Sequence, residues 1–542
     1  MASSYEFKFH ILPVLGIFAL AGFVLSRRRQ KETVHPYPPG PSCLPIIGSA
    51  LKIDFNAPHL TYTDWANQYG EIVYTRILGD DVILVNSERA VRALSEGQRS
   101  AIYASRPPFP IIKRFGVDFH TATTPYGSEW RAHRTILQQA LRAGSIQKYQ
   151  DLFMNKSCSL ALLLLDGVAP EDLGKSLKTF AASTALVMTY GYHAEQGDVV
   201  VNAAQDLATS VTGRLSPEKA ALIQKVPFLE YIPGFMIRTS YCRKLAAEVT
   251  DIPFEFLNKE LEQGTEKPSA MVDIISGHED SKRQGSDLTL KNAAATLHLA
   301  ATENNAATLQ IFILAMFLFG DKQRKAQEEI DRVVGPDRLP TYEDRESLPY
   351  IEALICESLR WHPSVPMGVP RYLTEDDVFE GCYMPKGSIV KFNAWAMSRA
   401  CEDPETFKPE RHLLPNGEVS PDSRLVSSFM YGNFGFGRRY VLSSRRTLTL
   451  SRQPLAYALG TCSACPGRIY ADNLLWAAVV QMLATVTISR PRDAKGKEVD
   501  YNPKWEGGLT AHPKPFPYVV DCRSPKREVL LREVVSREQN SP

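Results

Sequence analysis

Apolar residues recur at helical spacing along much of this 542-residue chain. Two short strands are predicted within 71–85, joined by a turn at Gly79-Asp80-Asp81, and the pattern becomes mainly helical from about residue 87. The clearest helical windows are 128–141, 173–190, 243–263, 288–319, 322–334, 348–361 and 465–487. Strand-like pieces return near 381–392 and at the C-terminus. The pattern predicts one large, mainly α-helical body with small β-sheets.

An apolar run over residues 11–25 precedes this body. Its length suits either a short membrane span or the core of a cleaved signal peptide. A basic cluster at 27–31 follows the run, and no Ala-x-Ala cleavage site is present. Because positive charge stays on the cytoplasmic side, we predict a transmembrane anchor with its basic flank in residues 1–30. A proline-rich hinge at 31–48 would act as a semi-rigid spacer, and one folded domain would occupy 49–542.

Composition excludes some functions. The chain has 62 basic and 60 acidic residues, so no excess of positive charge indicates nucleic acid as a partner. Its nine cysteines are dispersed and odd in number, which is typical of a reducing compartment and not of a disulfide framework. Cys462 and Cys465 have C-x-x-C spacing, but no second pair accompanies them, so the evidence for a zinc site is weak.

Two segments could together form a buried ionic network. Glu357 and Arg360 lie three residues apart in a predicted helix and therefore share one face. Considered alone, such a pair is more often a surface ion pair that contributes little stability. Arg411 lies further along, in the proline-containing segment 407–411. The three residues together predict a network that locks this coil onto the helix.

Cys465 lies in a context that favours a bound thiolate. The glycine-rich segment 434–439 (FGFGRR) precedes it, and Pro466-Gly467-Arg468 and a long apolar helix follow it. Glycines let the backbone approach a flat cofactor, and backbone N–H groups tune a thiolate. The positive end of a helix also favours the anion. The alternative for an isolated cysteine is a small buried hydrophobic residue.

Together these motifs resemble those of the cytochrome P-450 family, and specifically its fungal microsomal members. The resemblance extends from the proline-rich hinge to the C-terminal strands. It implies the cytochrome P-450 fold, a haem b whose iron is held by Cys465, and a structural network of Glu357, Arg360 and Arg411. It also implies further haem-binding residues, in the W-x-x-x-R motif and the haem loop, namely Trp130, Arg134, Phe434, Gly437, Arg439 and Gly467.

The resemblance also implies a reaction. Thiolate ligation favours O–O cleavage, so we expect a monooxygenase that inserts one oxygen atom of O2 into a lipophilic small molecule. Electrons would come from NADPH through a reductase, with cytochrome b5 as a further candidate donor. Similar fungal members oxidise polyketides or other secondary metabolites. The expected location is the endoplasmic reticulum membrane, with the catalytic domain on its cytoplasmic side. A largely apolar pocket is expected from 109–119, 300–304, 365–369 and 508–510.

The central helix departs from the family pattern. Where the family has an acid followed by an alcohol, this sequence has Glu303 and Asn304, which become the expected catalytic pair for proton delivery. An amide can hold an ordered water, although its donor and acceptor geometry differs from that of a hydroxyl. Thr302 or Thr308 could supply the hydroxyl in a shifted register, and Asn304 could simply face another helix. The departure keeps open a rearrangement or dehydration that needs no electron donor.

A second departure lies in the haem loop. Twenty-five residues, 440–464, separate Arg439 from Cys465 where the family has one. Removing 440–463 restores normal spacing, and its 24 codons are 72 bases, the size of a short fungal intron with permissible GT and AG ends. We therefore hypothesise that 440–463 is translated intron. A genuine insertion would disturb the N–H donors around the Cys465 sulfur and make Cys462 a rival ligand. In that case the chain could instead be an inactive haem-binding protein.

Overall fold

The computed structural model describes residues 34–194, 197–213, 217–232, 238–277, 287–423, 431–436 and 465–539. Its helices of eight or more residues are Pro58–Tyr69, Glu88–Ser95, Ser128–Ala140, Gln150–Asp166, Leu173–Tyr190, Val199–Ala208, Pro217–Lys225, Thr239–Gln263, Asp287–Leu318, Gly320–Val334, Pro349–Trp361, Arg468–Thr485 and Pro525–Gln539. Shorter α-helices are Pro110–Arg114, Ala143–Ile146, Ala270–Ser276, Ala394–Ser398 and Tyr431–Phe434. The architecture is mainly helical, as predicted.

The strands form small sheets at the periphery of this helical body. They are β1 Ile72–Ile77, β2 Asp80–Val85, β3 Arg371–Tyr372, β4 Asp377–Phe379, β5 Cys382–Met384, β6 Ile389–Phe392, β7 Val486–Ser489, β8 Trp505–Glu506, β9 His512–Pro513 and β10 Val519–Cys522. The largest sheet has the order β1-β2-β6-β3, with β2 and β6 parallel and the other pairs antiparallel. The pairs β4-β5, β7-β10 and β8-β9 are antiparallel.

The turn between β1 and β2 lies one residue earlier than the sequence pattern predicts. Asp80 already pairs with Ile77, which leaves Leu78 and Gly79 as the two turn residues. Both have positive φ, 52° and 86°, as a two-residue type I′ hairpin requires. The turn conformation therefore draws both aspartates into the strand.

The proline-rich segment packs on the folded body where the structure describes it, over 34–48. The Pro36 carbonyl accepts a hydrogen bond from Tyr383 N at 2.7 Å, and the Pro39 carbonyl accepts one from Tyr74 N at 3.1 Å. Proline carbonyls remain good acceptors although proline has no N–H to donate. This part of the segment is therefore fixed to β1 and β5.

The central helix, Asp287–Leu318, passes through the largest hydrophobic core. It packs against Leu173–Tyr190, Ser128–Ala140, Pro349–Trp361 and Arg468–Thr485. Because neighbours surround it, nearly every residue from Ala293 to Phe317 is buried and the helix has little amphipathic character.

Two long helices escape the sequence prediction. Gln150–Asp166 packs against Arg468–Thr485 and Pro525–Gln539, and its apolar residues extend beyond its buried face to the exposed Leu163. Pro525–Gln539 follows β10, where the pattern predicts only strands. In the ranges covered by the structure, no helix has the length and apolar character needed to cross a membrane. The predicted anchor at 1–30 lies outside those ranges.

Candidate functional site

Cys465 lies three residues before the apolar helix Arg468–Thr485, whose N-cap is Gly467. Its backbone N–H donates to the Phe434 carbonyl at 3.0 Å, which joins the two ends of the glycine-rich loop. Gly467 lies beside the sulfur, since a Cβ added there would be 3.7 Å from Cys465 Sγ. The predicted helix over 465–487 thus begins later, because these residues form the turn that presents the thiol.

Burial and nearby charges act on the Cys465 thiol in opposite directions. Burial raises its pKa, whereas the Gly467 N–H and the charges of Arg134 and Arg468 lower it, and the net effect is a raised pKa. The cysteine therefore has an N–H donor and two cations that would stabilise a thiolate once a metal ion displaces the proton.

Buried arginines lie near this cysteine and near the glycine-rich segment before it. Trp130 and Arg134 lie one turn apart on Ser128–Ala140, both buried, with the guanidinium carbon 5.6 Å from the indole centroid. Arg371 is 4% exposed, and its guanidinium donates to the carbonyls of Tyr103 and Phe436. Within the described ranges no carboxylate pairs with Arg371, and burial lowers its pKa to about 10. A buried cation in this situation suits an anionic ligand.

The structure brings Glu357, Arg360 and Arg411 together. Arg360 donates to both carboxylate oxygens of Glu357, from Nε at 2.8 Å and from Nη2 at 2.9 Å. Arg411 Nε donates to Glu357 Oε1 at 3.1 Å. Glu357 is fully buried and Arg360 is 2% exposed, so this is an internal network and not a surface ion pair.

His412 is a further member that the sequence analysis missed. Its Nε2 lies 2.9 Å from Glu357 Oε2, and the backbone N–H of Lys408 donates to Glu357 Oε1 at 2.7 Å. Burial raises the pKa of Glu357, but the hydrogen bonds from His412 and Arg360 outweigh it and hold the pKa below its usual range. In the sequence, His412 could have been suspected because it directly follows Arg411. The structure places both residues in one short helix, Pro409–His412.

Asn304 is the exposed residue in the middle of the central helix, between the buried Glu303 and Asn305. Its Nδ2 donates to the Ala300 carbonyl at 3.0 Å. Its side chain is therefore accessible, although most neighbouring positions of this helix are buried. The structure thus places this amide on a different face from Glu303.

The two threonines near Asn304 differ in position. Thr302 is fully buried, and its hydroxyl donates to the His298 carbonyl at 2.9 Å. Thr308 lies one turn after Asn304 and donates to the Asn304 carbonyl at 2.8 Å. Of the two hydroxyls, that of Thr308 is the one on the same helix face as Asn304.

Glu303 is held by two residues that the sequence analysis did not connect with it. Lys178, on Leu173–Tyr190, places its Nζ 3.0 Å from Glu303 Oε2. The hydroxyl of Thr510 donates to Glu303 Oε1 at 3.0 Å. The carboxylate is 4% exposed and therefore belongs to a buried polar cluster. Neither partner could be found from spacing, because both are far away in the sequence.

One of the predicted pocket segments, 109–119, packs against the central helix through apolar side chains. Ile111, Phe115, Val117 and Phe119 form one cluster with Ala295 of the central helix.

The remaining members of the predicted haem loop, Gly437 and Arg439, lie outside the described residues. The rival ligand Cys462 and the whole of 440–463 also lie outside them.

The donor set fits a haem with a thiolate ligand. Cys465 supplies the sulfur, and Arg134, Arg371 and Arg468 supply buried positive charge suited to propionates. The Arg134 guanidinium lies over the Trp130 ring and Arg371 donates to the Tyr103 carbonyl, so both cations are held in place. The chemistry of these residues therefore agrees with the cofactor implied by the resemblance.

Comparisons with known proteins agree with this geometry. Residues 38–440 match the family model described as Cytochrome P450. The chain is 31% identical over 534 residues to Cytochrome P450 monooxygenase COX2 of Coprinopsis cinerea, covering 95% of this chain and 94% of that protein. It is also 31% identical over 546 residues to Cytochrome P450 monooxygenase claR of Ampulloclitocybe clavipes, covering 98% and 93%. The family match ends at the first residue of the predicted insertion.

Proposed function

Because this chain belongs to the cytochrome P450 family and is an oxygen-incorporating oxidoreductase, we propose that it inserts one oxygen atom of O2 into a lipophilic small molecule. The haem of this family, bound through a cysteine thiolate, supplies the oxygen-activating chemistry. We propose Cys465 as the iron ligand. Trp130, Arg134, Phe434 and Gly467, together with Gly437 and Arg439, are proposed to complete the cofactor site.

The observation that carries the proposal is the environment of Cys465. The thiol lies at the start of a buried helix, next to the Gly467 N–H and two arginines whose charges favour its ionised form. Helix N-termini and cations are the features that turn a cysteine into a ligand. A cysteine kept only for packing would need none of them.

We propose that Glu303 and Asn304 handle the proton that the reaction consumes. The Asn304 side chain is exposed, and its amide could hold an ordered water. Glu303 is the nearest carboxylate in sequence and is already linked to polar neighbours. The apolar cluster around Phe115 and Phe119 supports a lipophilic substrate.

We further propose that electrons arrive from NADPH through a membrane-bound reductase, and that residues 1–30 anchor the chain in the endoplasmic reticulum. The support is the sequence: an apolar run at 11–25 followed by basic residues. The catalytic body would then face the cytoplasm. Secondary metabolites are the proposed class of substrate.

We also propose that the working protein lacks 440–463. The family match ends at residue 440, and removal of the block restores the normal distance between Arg439 and Cys465. Sequencing of the spliced transcript tests this idea. A main message that contains the codons for 440–463 would overturn it.

A spectrum and a turnover assay test the proposed function. The reduced protein with carbon monoxide should give the Soret band of a thiolate-bound haem, and consumption of NADPH and O2 should require added reductase. Absence of that Soret band from the chain that lacks 440–463 would contradict the assignment of Cys465 as the iron ligand.

Asn304, in place of an alcohol, favours one second candidate: a rearrangement or dehydration at the same haem without an electron donor. Product formation without NADPH and reductase would identify this second function.

A further inference from the structure

We propose that Glu506 and His512 form the route by which protons from solvent reach Glu303. The proposal rests on the function proposed above, in which Glu303 takes part in proton delivery. It concerns Glu506 in β8 and His512 in β9. Of this hairpin, only 508–510 were expected from the sequence to line the pocket.

Glu303 needs a connection to solvent because it is buried inside the molecule. The carboxylate is 4% exposed, and its two described partners are the Lys178 ammonium and the Thr510 hydroxyl. A buried carboxylate that gives up a proton must receive another before the next turnover. Lys178 is a poor source of that proton, because it would have to give up the charge that forms its ion pair with Glu303.

His512 lies close to this cluster in the sequence. Thr510, which contacts Glu303, is two residues before His512, in the turn that leads into β9. The Glu303 charge raises the pKa of His512 and the Lys178 charge lowers it, which places the imidazole within range of both. The buried Nδ1 of His512 has no hydrogen-bond partner among the described residues.

Glu506 connects the imidazole to solvent. It is the cross-strand neighbour of His512 in the β8-β9 pair. Its Oε2 lies 3.4 Å from His512 Nε2, and its side chain is 54% exposed, against 19% for His512. The two ring nitrogens of His512 thus face different surroundings, one toward a solvent-exposed carboxylate and the other toward the interior.

The hairpin is held firmly enough to keep this arrangement. The Trp505 ring stacks on His362, with centroids 3.5 Å apart and planes 16° from parallel. Gln310, two turns after Glu303 on the central helix, donates from Nε2 to the Pro513 carbonyl at 3.2 Å. These contacts fix both strands of the hairpin relative to the central helix.

Burial of His512 favours a neutral imidazole, and the nearby carboxylates allow it to be protonated briefly. Burial is the largest influence and lowers the pKa of His512 below its ordinary value, Glu303 and Glu506 oppose it, and Lys178 adds to it. His362, across Trp505, also lies within electrostatic range of His512. A histidine whose pKa is below neutral gives up an acquired proton readily.

The transfer conserves atoms and charge. Glu506 takes a proton from water and passes it to His512 Nε2, which becomes an imidazolium. The imidazolium releases its Nδ1 proton, through one bridging water, to the Glu303 carboxylate. A tautomeric exchange of the neutral ring, or its rotation, restores the starting state. An unpartnered buried nitrogen is the kind of group that an ordered water satisfies.

The test compares His512→Gln and Glu506→Gln with the unchanged holoenzyme and with Glu498→Gln, a matched exposed glutamate in the same C-terminal region. Both route variants should lower turnover by about tenfold, with a larger solvent deuterium isotope effect and a substrate KM within about twofold. Glu506→Asp, which keeps the carboxylate, should retain most of the activity. Unchanged turnover and isotope effect in His512→Gln would overturn the proposal.

Nuclear magnetic resonance supplies a readout that does not depend on activity. The chain has 11 histidines, so ¹⁵N-histidine labelling of the diamagnetic ferrous carbon monoxide form gives few signals, and His512→Gln identifies the one of interest. Its titration midpoint should fall in Glu303→Gln and rise in Lys178→Met. A midpoint that neither change moves would overturn the proposal.

These outcomes separate the proposal from the proposed function. Slow turnover in Glu303→Gln, together with normal turnover in His512→Gln, would overturn the proton route and leave the monooxygenase assignment standing. A protein without a thiolate-type carbon monoxide spectrum would instead overturn the proposed function, and with it the route.

Discussion

Glu357→Gln is the substitution for which the structure makes the strongest prediction about stability. The Glu357 carboxylate accepts five hydrogen bonds, two from Arg360 and one each from Arg411, His412 and the Lys408 N–H. Glutamine has nearly the same shape but only one acceptor oxygen, and its NH2 group would face donors. The substitution therefore removes the charge that compensates two arginines and adds a donor among donors.

The expected loss is about 3–5 kcal/mol of unfolding free energy, because removal of one partner leaves buried charge uncompensated. Glu357 is fully buried and Arg360 is 2% exposed, so water cannot replace the lost partner. A native domain has a total stability of about 5–15 kcal/mol, so a loss of this size would also reduce the amount of folded protein.

The effect should depend on pH in a defined direction. The pKa of Glu357 is held below its usual value, so its stabilising contribution is present above the ordinary carboxyl pKa of about 4.3 and is lost as the pH falls through the lowered folded value. The difference in unfolding free energy between the unchanged protein and Glu357→Gln should be constant from about pH 8 to 5 and shrink below about pH 4.

Urea unfolding of the purified proteins, followed by tryptophan fluorescence and by Soret absorbance, measures this loss. Glu328→Gln is the control: Glu328 pairs with Arg324 on an exposed helix face, where the side chains are 70% and 74% exposed. That change should cost less than about 1 kcal/mol. If Glu357→Gln were as stable as the control, the network would not carry the stability assigned to it.

Three further predictions concern the site. Cys465→Ser should abolish the thiolate-type carbon monoxide Soret band while far-ultraviolet circular dichroism stays unchanged, and survival of the band would point to another ligand. Asn304→Thr should raise the amount of product formed per NADPH consumed by more than about twofold, because a hydroxyl would replace an amide that limits proton delivery. A twofold change corresponds to about 0.4 kcal/mol between the product-forming and the wasteful step. Equal product per NADPH in both proteins would show that the alcohol is not needed. Deletion of 440–463 should increase the haem bound per chain, measured by the pyridine haemochrome assay, and full occupancy of the longer chain would count against the intron hypothesis.

The sequence predicted most of the long helices because their apolar spacing is local information. The window 173–190 agrees with Leu173–Tyr190, and 348–361 begins one residue before Pro349–Trp361. Gln150–Asp166 was missed because its apolar residues, which include the exposed Leu163, are not confined to its buried face, so its pattern lacks the single apolar face on which the prediction relies.

The residues of the candidate site also differ in whether local sequence information could predict them. The sequence by itself determined which cysteine follows the glycine-rich loop and begins a helix, and which glutamate and arginine share a helix face, because motif order and helical spacing are properties of the chain. Only the tertiary structure decided that Lys178 and Thr510 contact Glu303, that His412 joins Glu357, and that Asn304 is exposed while Glu303 is buried. Those contacts join distant segments, and they arise from how helices and hairpins pack, which no local spacing records.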